Sequence, residues 1–202
     1  MTAHFVHHRS QVVLAVVAFT LILGVGVLAA TMAGVADNAQ VDPAHSSVTF
    51  KIEHLGISWV QGRFNDIAGA CTVDTQDVAK STFEMTIKTA SIDTNVTKRD
   101  DHLRSPDFFD AKQFPNISFK STAVKKVDGG LEVKGDLVLH GVTKTITCTL
   151  AGGKESEFPK GTQRVGFYTE IKVKRSDYGM DKMIPDVCDE VRLFISFEAV
   201  KK

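Results

Sequence analysis

VRLFISFEAV, residues 191–200, alternates over most of its length: Val191, Leu193, Ile195 and Phe197 stand against Arg192, Ser196 and Glu198. A period of two puts apolar groups on one face of a strand and polar groups on the other, the pattern of a sheet with a core on one side and water on the other. The same period recurs back along the chain. Val48, Phe50, Ile52 and His54 alternate with Thr49, Lys51 and Glu53, as Phe83, Met85 and Ile87 do with Glu84, Thr86 and Lys88. Ile117 with Phe119, Leu131 with Val133, and Leu137 with Leu139 form further apolar faces, as do Val142, Ile146, Cys148 and Leu150, then Phe167, Ile171 and Val173. Turn residues separate them at Asp128-Gly129-Gly130, His140-Gly141 and Gly152-Gly153. The run from Trp59 to Val73 is interrupted by Gly62 and Gly69, which suggest a bulge or strong bend. About eight strands are predicted.

One segment breaks the pattern. Thr97 followed three residues later by Asp100 reads as a capping box, and KRDDHLR (98–104) carries charge with Leu103 as its apolar residue. Ser105-Pro106-Asp107 reads as a second helix start, with proline at the first helical position; Phe108 and Phe109 follow, and Phe114-Pro115 ends it. This short helical excursion near residues 97–112 is too long for a hairpin turn and suits a plug, lid or end cap. The expected fold is all-β: a single, extended antiparallel barrel, just wide enough to fill with side chains or hold one small ligand. No linker or repeat divides residues 41–202, which are read as one domain.

The 202 residues carry 24 basic and 24 acidic side chains, so the chain lacks the bulk positive charge of a nucleic-acid binder. Residues 1–36 hold a single charge, Arg9, and from Val12 to Ala36 there is none. Gly34 and Ala36 bracket Val35 as in the small-x-small site of a secretory signal peptide, with cleavage expected before Asp37. The apolar run is also long enough to span a bilayer, so an uncleaved anchor facing the periplasm is the alternative to release. Either way residues 1–36 are an address, and the domain is exported, to the periplasm or beyond.

Chemistry-bearing motifs are missing. The sequence has no nucleophile elbow, P-loop, dinucleotide fingerprint or HExxH. Cys71, Cys148 and Cys188 are too far apart for a CxxC zinc site, and an odd number leaves at least one thiol free. His45, His54, His102 and His140 are scattered, and Asp100, Asp101, Asp107 and Asp110 lack calcium-loop spacing. His54 falls in register with Val48, Phe50 and Ile52 and should face inward, whereas His140 suits a turn. The positive signal is aromatic: of 13 phenylalanines, 11 follow residue 36, joined by Met85, Met180 and Met183. Such residues can pack a solid core or line a cavity.

HSSVTFKIEHLGISWVQGRF (45–64), TASIDTNVTKRDDHLRSPDFFDAKQFPNISFKST (89–122), GDLVLHGVTKTI (135–146), RSDYGM (175–180) and DEVRLFISFEA (189–199) occur in order. Together they resemble the YceI-like polyisoprenoid-binding family, over about Val41 to Val200. The resemblance implies a lipocalin-like barrel with a long tunnel, no catalytic residues, no cofactor, no metal, and no obligatory disulfide. One departure is Cys188, where a small residue is expected. The function implied is an exported binding protein that holds a polyisoprenoid, quinone-like chain or fatty amide for carriage, storage or stress response. The rivals are an accessory protein or enzyme acting on a quinone-like lipid and a fully packed protein without ligand. Tunnel residues would be Phe50, Ile52, His54, Trp59, Phe83, Met85, Ile87, Phe119, Leu137, Leu139, Phe167 and Leu193. Leu103, Phe108 and Phe109 would close one end, and Arg63, His102 and Arg104 would meet a polar head group. The expected partners are an apolar lipid and the membrane that supplies it, not nucleic acid, with a homodimer left open.

Overall fold

The computed structural model describes Met1 and residues 37–201. The apolar segment read as a signal or anchor lies outside the described residues. Eleven strands follow in order: β1 (Asp37–Val41), β2 (Ser47–His54), β3 (Ser58–Phe64), β4 (Ile67–Val73), β5 (Thr82–Lys88), β6 (Ile92–Asp93), β7 (Asn116–Val127), β8 (Gly130–Leu139), β9 (Val142–Glu157), β10 (Gln163–Lys174) and β11 (Val187–Lys201). The first six join in pairs. β1 and β2 run on through a single turn at Pro43–His45, where Asp42 accepts the Ala44 N–H at 3.0 Å. The joined β1–β2 pairs antiparallel with the joined β3–β4, from His54↔Ser58 to Asp37↔Val73, and β5–β6 follows on β4 and β3. The eleven segments therefore make eight barrel strands, each beside its sequence neighbour.

The ring closes where β11 meets both β2 (Leu193↔Phe50) and β1 (Ala39↔Lys201). Closure pairs the two ends of the sheet with each other. The junction is held on its outer side by Arg164. Its guanidinium donates to Asp42 Oδ2 at 2.7 Å, to Glu198 Oε2 at 3.3 Å and to the Phe158 carbonyl at 2.8 Å.

Several expectations change in detail. The domain's first strand begins at Asp37, ahead of residue 41. The interruption in the 59–73 run falls at Asn65-Asp66 rather than at a glycine. Gly62 instead makes room, since a Cβ there would stand 2.4 Å from the Phe50 ring. Helix α1 (Thr97–Arg104) has Val96 at its N-cap with no side-chain cap, so Thr97 is not the capping residue. Asp100 accepts from the Thr94 backbone at 2.9 Å and hydroxyl at 2.5 Å, pinning the chain that enters the helix. The second helix does not form: Ser105 ends α1, its carbonyl accepts from Phe108, and turns follow.

Inward side chains form two buried groups. One, around Phe83, Phe167, Phe197, Val133 and Leu150, lies toward the end of the barrel where the β7–β8 and β9–β10 turns are. The other, including Phe64, Ile87, Ile117, Leu137 and Tyr178, lies toward α1.

Candidate ligand-binding cavity

Both groups border a cavity of about 750 Å³, in the range of sites that bury a small ligand. Its wall is the inward parity of the barrel: Phe50 and Ile52 from β2, Phe83, Met85 and Ile87 from β5, Phe119 from β7, Leu137 and Leu139 from β8, and Leu193 from β11. Leu103, Phe108 and Phe109 lie across one end, with Phe109 edge-on to Phe64 at 5.8 Å. The opening lies on that side, where the lining reaches the surface at Val96, Lys98, His102 and Met183. His54 and His102 both line the cavity there. The His102 Nε2 donates to Asp107 at 3.0 Å, which holds that carboxyl below the usual range, and its ring packs against Phe108.

Four of the residues assigned to the site lie elsewhere. Trp59 is an odd-numbered residue of β3, whereas Val60, Gly62 and Phe64 turn inward; it is 44 % exposed, beneath the cations of Lys51 and Arg192. Arg63 shares that outer parity and borders a shallow surface groove with Asp93 and Glu170. Arg104 faces away from the cavity, donating to the carbonyls of Ala90 and Ile92 and to Asp101. Phe167 points inward but lies behind the cavity wall, packed on Phe83 at 5.3 Å and Phe197 at 5.6 Å.

Other lining residues were not anticipated. Arg175 is 5 % exposed and lines the cavity. β11 carries two extra residues between its pairings at Val187 and Val191, a bulge that contains Cys188. Arg175 donates to the carbonyls of Val187 and Cys188 there, and to those of Met180 and Lys182 in the preceding loop, at 2.7–3.0 Å. The bulge leaves backbone acceptors without a sheet partner, and one buried guanidinium satisfies them. Burial pulls the Arg175 pKa down from its ordinary value. Thr94, Arg99 and Thr169, with Glu84 and Ser118, add to the polar part of a mainly apolar lining. Among the described residues no cluster of His, Cys, Asp or Glu has the grouping of a metal site, and Cys71, Cys148 and Cys188 are thiols.

The profile of the YceI-like domain matches residues 40–199. The chain belongs to the YceI-like family. Protein YceI of Escherichia coli O6:H1 is 41 % identical over 158 residues, 78 % of this chain and 83 % of that protein. Among solved structures, BcnA of Burkholderia cenocepacia superposes with a TM-score of 0.71 at 27 % identity, covering 79 % of this chain and 99 % of its own. A polyisoprenoid-binding domain from Saccharophagus degradans, implicated in plant cell wall breakdown, shares the fold at a TM-score of 0.61 and 16 % identity, covering 83 % and 99 %. The YceI-like barrel of this chain encloses an apolar interior with space for an apolar molecule.

Proposed function

We propose that this YceI-like protein is an exported carrier that holds one long-chain apolar molecule in its barrel, for transport, storage or stress response. The cavity carries the reading. Its lining is almost wholly apolar, its inner end is packed shut, and its other end reaches the surface. Burying apolar chain there is worth on the order of 25 cal/mol per Å², less the cost of ordering the chain. A polyisoprenoid, a quinone-like chain and a fatty amide all offer such surface, and the Saccharophagus domain supports the first. The N-terminal run with its Gly34-Val35-Ala36 site supports export, either released or tethered to the membrane.

The membrane is the proposed source of the ligand. Apolar side chains stand exposed around the opening: Leu55, Ile57, Val96, Met183 and Ile184. Leu55 (φ 55°) and Met183 (φ 64°) are held in the left-handed region, which their side chains disfavour. The two loops meet where the Leu55 N–H donates to the Asp186 carbonyl at 2.7 Å, and the second loop closes on itself where the Val187 N–H donates to the Met183 carbonyl at 2.8 Å. Their apolar tips are thereby displayed rather than folded in, as a surface that touches a bilayer requires.

Filling the cavity tests the reading. Ile146→Trp with Leu193→Trp places two large side chains in the space, so a fluorescent polyprenyl or fatty-amide probe that binds the natural protein should lose most of its affinity while the fold and melting transition persist. Equal binding by both proteins would place the ligand outside the barrel.

A further inference from the structure

The inward positions of β10 read Val165, Phe167, Thr169, Ile171 and Val173, so a single hydroxyl interrupts an apolar file. Thr169 is 6 % exposed and lines the inner part of the cavity, near Leu150, Val133 and Ile195. Its Oγ1 is buried and has no hydrogen-bond partner among the described residues. The thiol of Cys148, also on the cavity wall, is the hydroxyl's polar neighbour, close enough for the hydroxyl to favour its thiolate. Burial dominates at that thiol and pushes its pKa up, so the neutral pair offers an O–H and an S–H to the cavity. A buried hydroxyl without a partner is costly, and valine would fill the same volume without that cost.

We infer that Thr169, with Cys148 beside it, is the polar subsite for a hydrogen-bond acceptor at the inner end of the ligand. This rests on the carrier reading and narrows it. The ligand class is a long apolar chain that carries a carbonyl, as in an amide, ester or quinone, and enters with that group leading. The Thr169 hydroxyl donates to the carbonyl oxygen. A pure hydrocarbon of the same length fills the cavity but leaves the hydroxyl unpaired. The cationic and imidazole groups at the mouth, Lys98, Arg99 and His102, then meet solvent or the trailing end of the chain.

Thr169→Val and Thr169→Ser, each titrated with oleamide and with 1-octadecene, form the test. Thr169→Val should bind oleamide about threefold to tenfold more weakly, the size of one net hydrogen bond, and octadecene as well as the natural protein does. Thr169→Ser should keep oleamide affinity. The ligand-free Thr169→Val protein should melt no lower than the natural one, which separates lost binding from lost folding. Unchanged oleamide affinity in Thr169→Val, or an equal loss for both ligands, would overturn the subsite while leaving the carrier reading standing. Failure of the natural protein to bind either ligand would overturn both.

Discussion

Phe167 and Phe119 separate a packed core from a lined cavity, and their truncation should cost different amounts. Phe167 is 3 % exposed and sits behind the cavity wall, in ring contact with Phe83 and Phe197. Phe167→Ala removes a whole ring from close packing and leaves a void, which typically costs about 3–5 kcal/mol. Phe119 is half-buried and borders space that already exists. Phe119→Ala therefore loses the transfer free energy of the ring, at most about 1.5–3 kcal/mol, with little added cavity cost. For a domain of this size each kcal/mol lowers Tm by about 2–4 °C, so Phe167→Ala should melt some 6–20 °C below the natural protein and Phe119→Ala clearly less. Urea unfolding at fixed ligand content reads both values. The variants should also differ in binding. Phe167→Ala deepens the cavity at its inner end and should admit a longer chain, whereas Phe119→Ala widens its middle. An equal cost at the two sites, or a larger one at Phe119, would refute the distinction between a packed Phe167 and a cavity-lining Phe119.

Three further outcomes are expected. The Asp42 carboxyl is held down at about 2, chiefly by the hydrogen bond from Arg164 and then by His45, against an ordinary 3.8. Its folded value is depressed, so its contribution is complete above about pH 4 and is lost as pH falls toward 2; Asp42→Asn should flatten that acid limb of an unfolding-versus-pH curve, and an unaltered limb would contradict the role of the junction. Leu55→Asp with Ile57→Asp should slow ligand transfer from phospholipid vesicles without changing equilibrium affinity in detergent, and unchanged transfer kinetics would remove the membrane-facing role of the rim. Burial pushes the Cys71 thiol up to about 11, so under native conditions mass-resolved alkylation should modify Cys71 far more slowly than half-buried Cys188; comparable rates would show that the β1–β4 wall opens readily.

The barrel was legible because its strands keep period two where it matters. Leu193, Ile195 and Phe197 of β11 and Phe83, Met85 and Ile87 of β5 turn inward as their alternation requires. Trp59 lies outside because β3 turns its even-numbered residues inward, a parity that Gly62 and Phe64, two steps apart, mark in the sequence. Phe167 could not be told from a lining residue, since parity gives the face of a strand but not the depth along the barrel. Capping was legible only in part. The acidic residue of the Thr97–Asp100 pattern does stabilise the helix entrance, but by reaching back to Thr94 rather than by partnering Thr97. Arg175 left no signal as a buried residue. Its burial follows from a bulge in β11, a register event between distant strands that no local pattern encodes. Thr169 carries no signal in the sequence, because one hydroxyl in an apolar file is ordinary until the space in front of it is known.

An apolar guest in the barrel adds its own mass to the protein. Native mass spectrometry of the protein purified without detergent, followed by mass analysis of its solvent extract, reads that mass. The expected result is a complex heavier than the polypeptide by one small molecule, released into organic solvent as a long apolar chain bearing a carbonyl. A spectrum of the bare polypeptide, with no mass gained on incubation with polyprenyl or fatty-amide compounds, would contradict it.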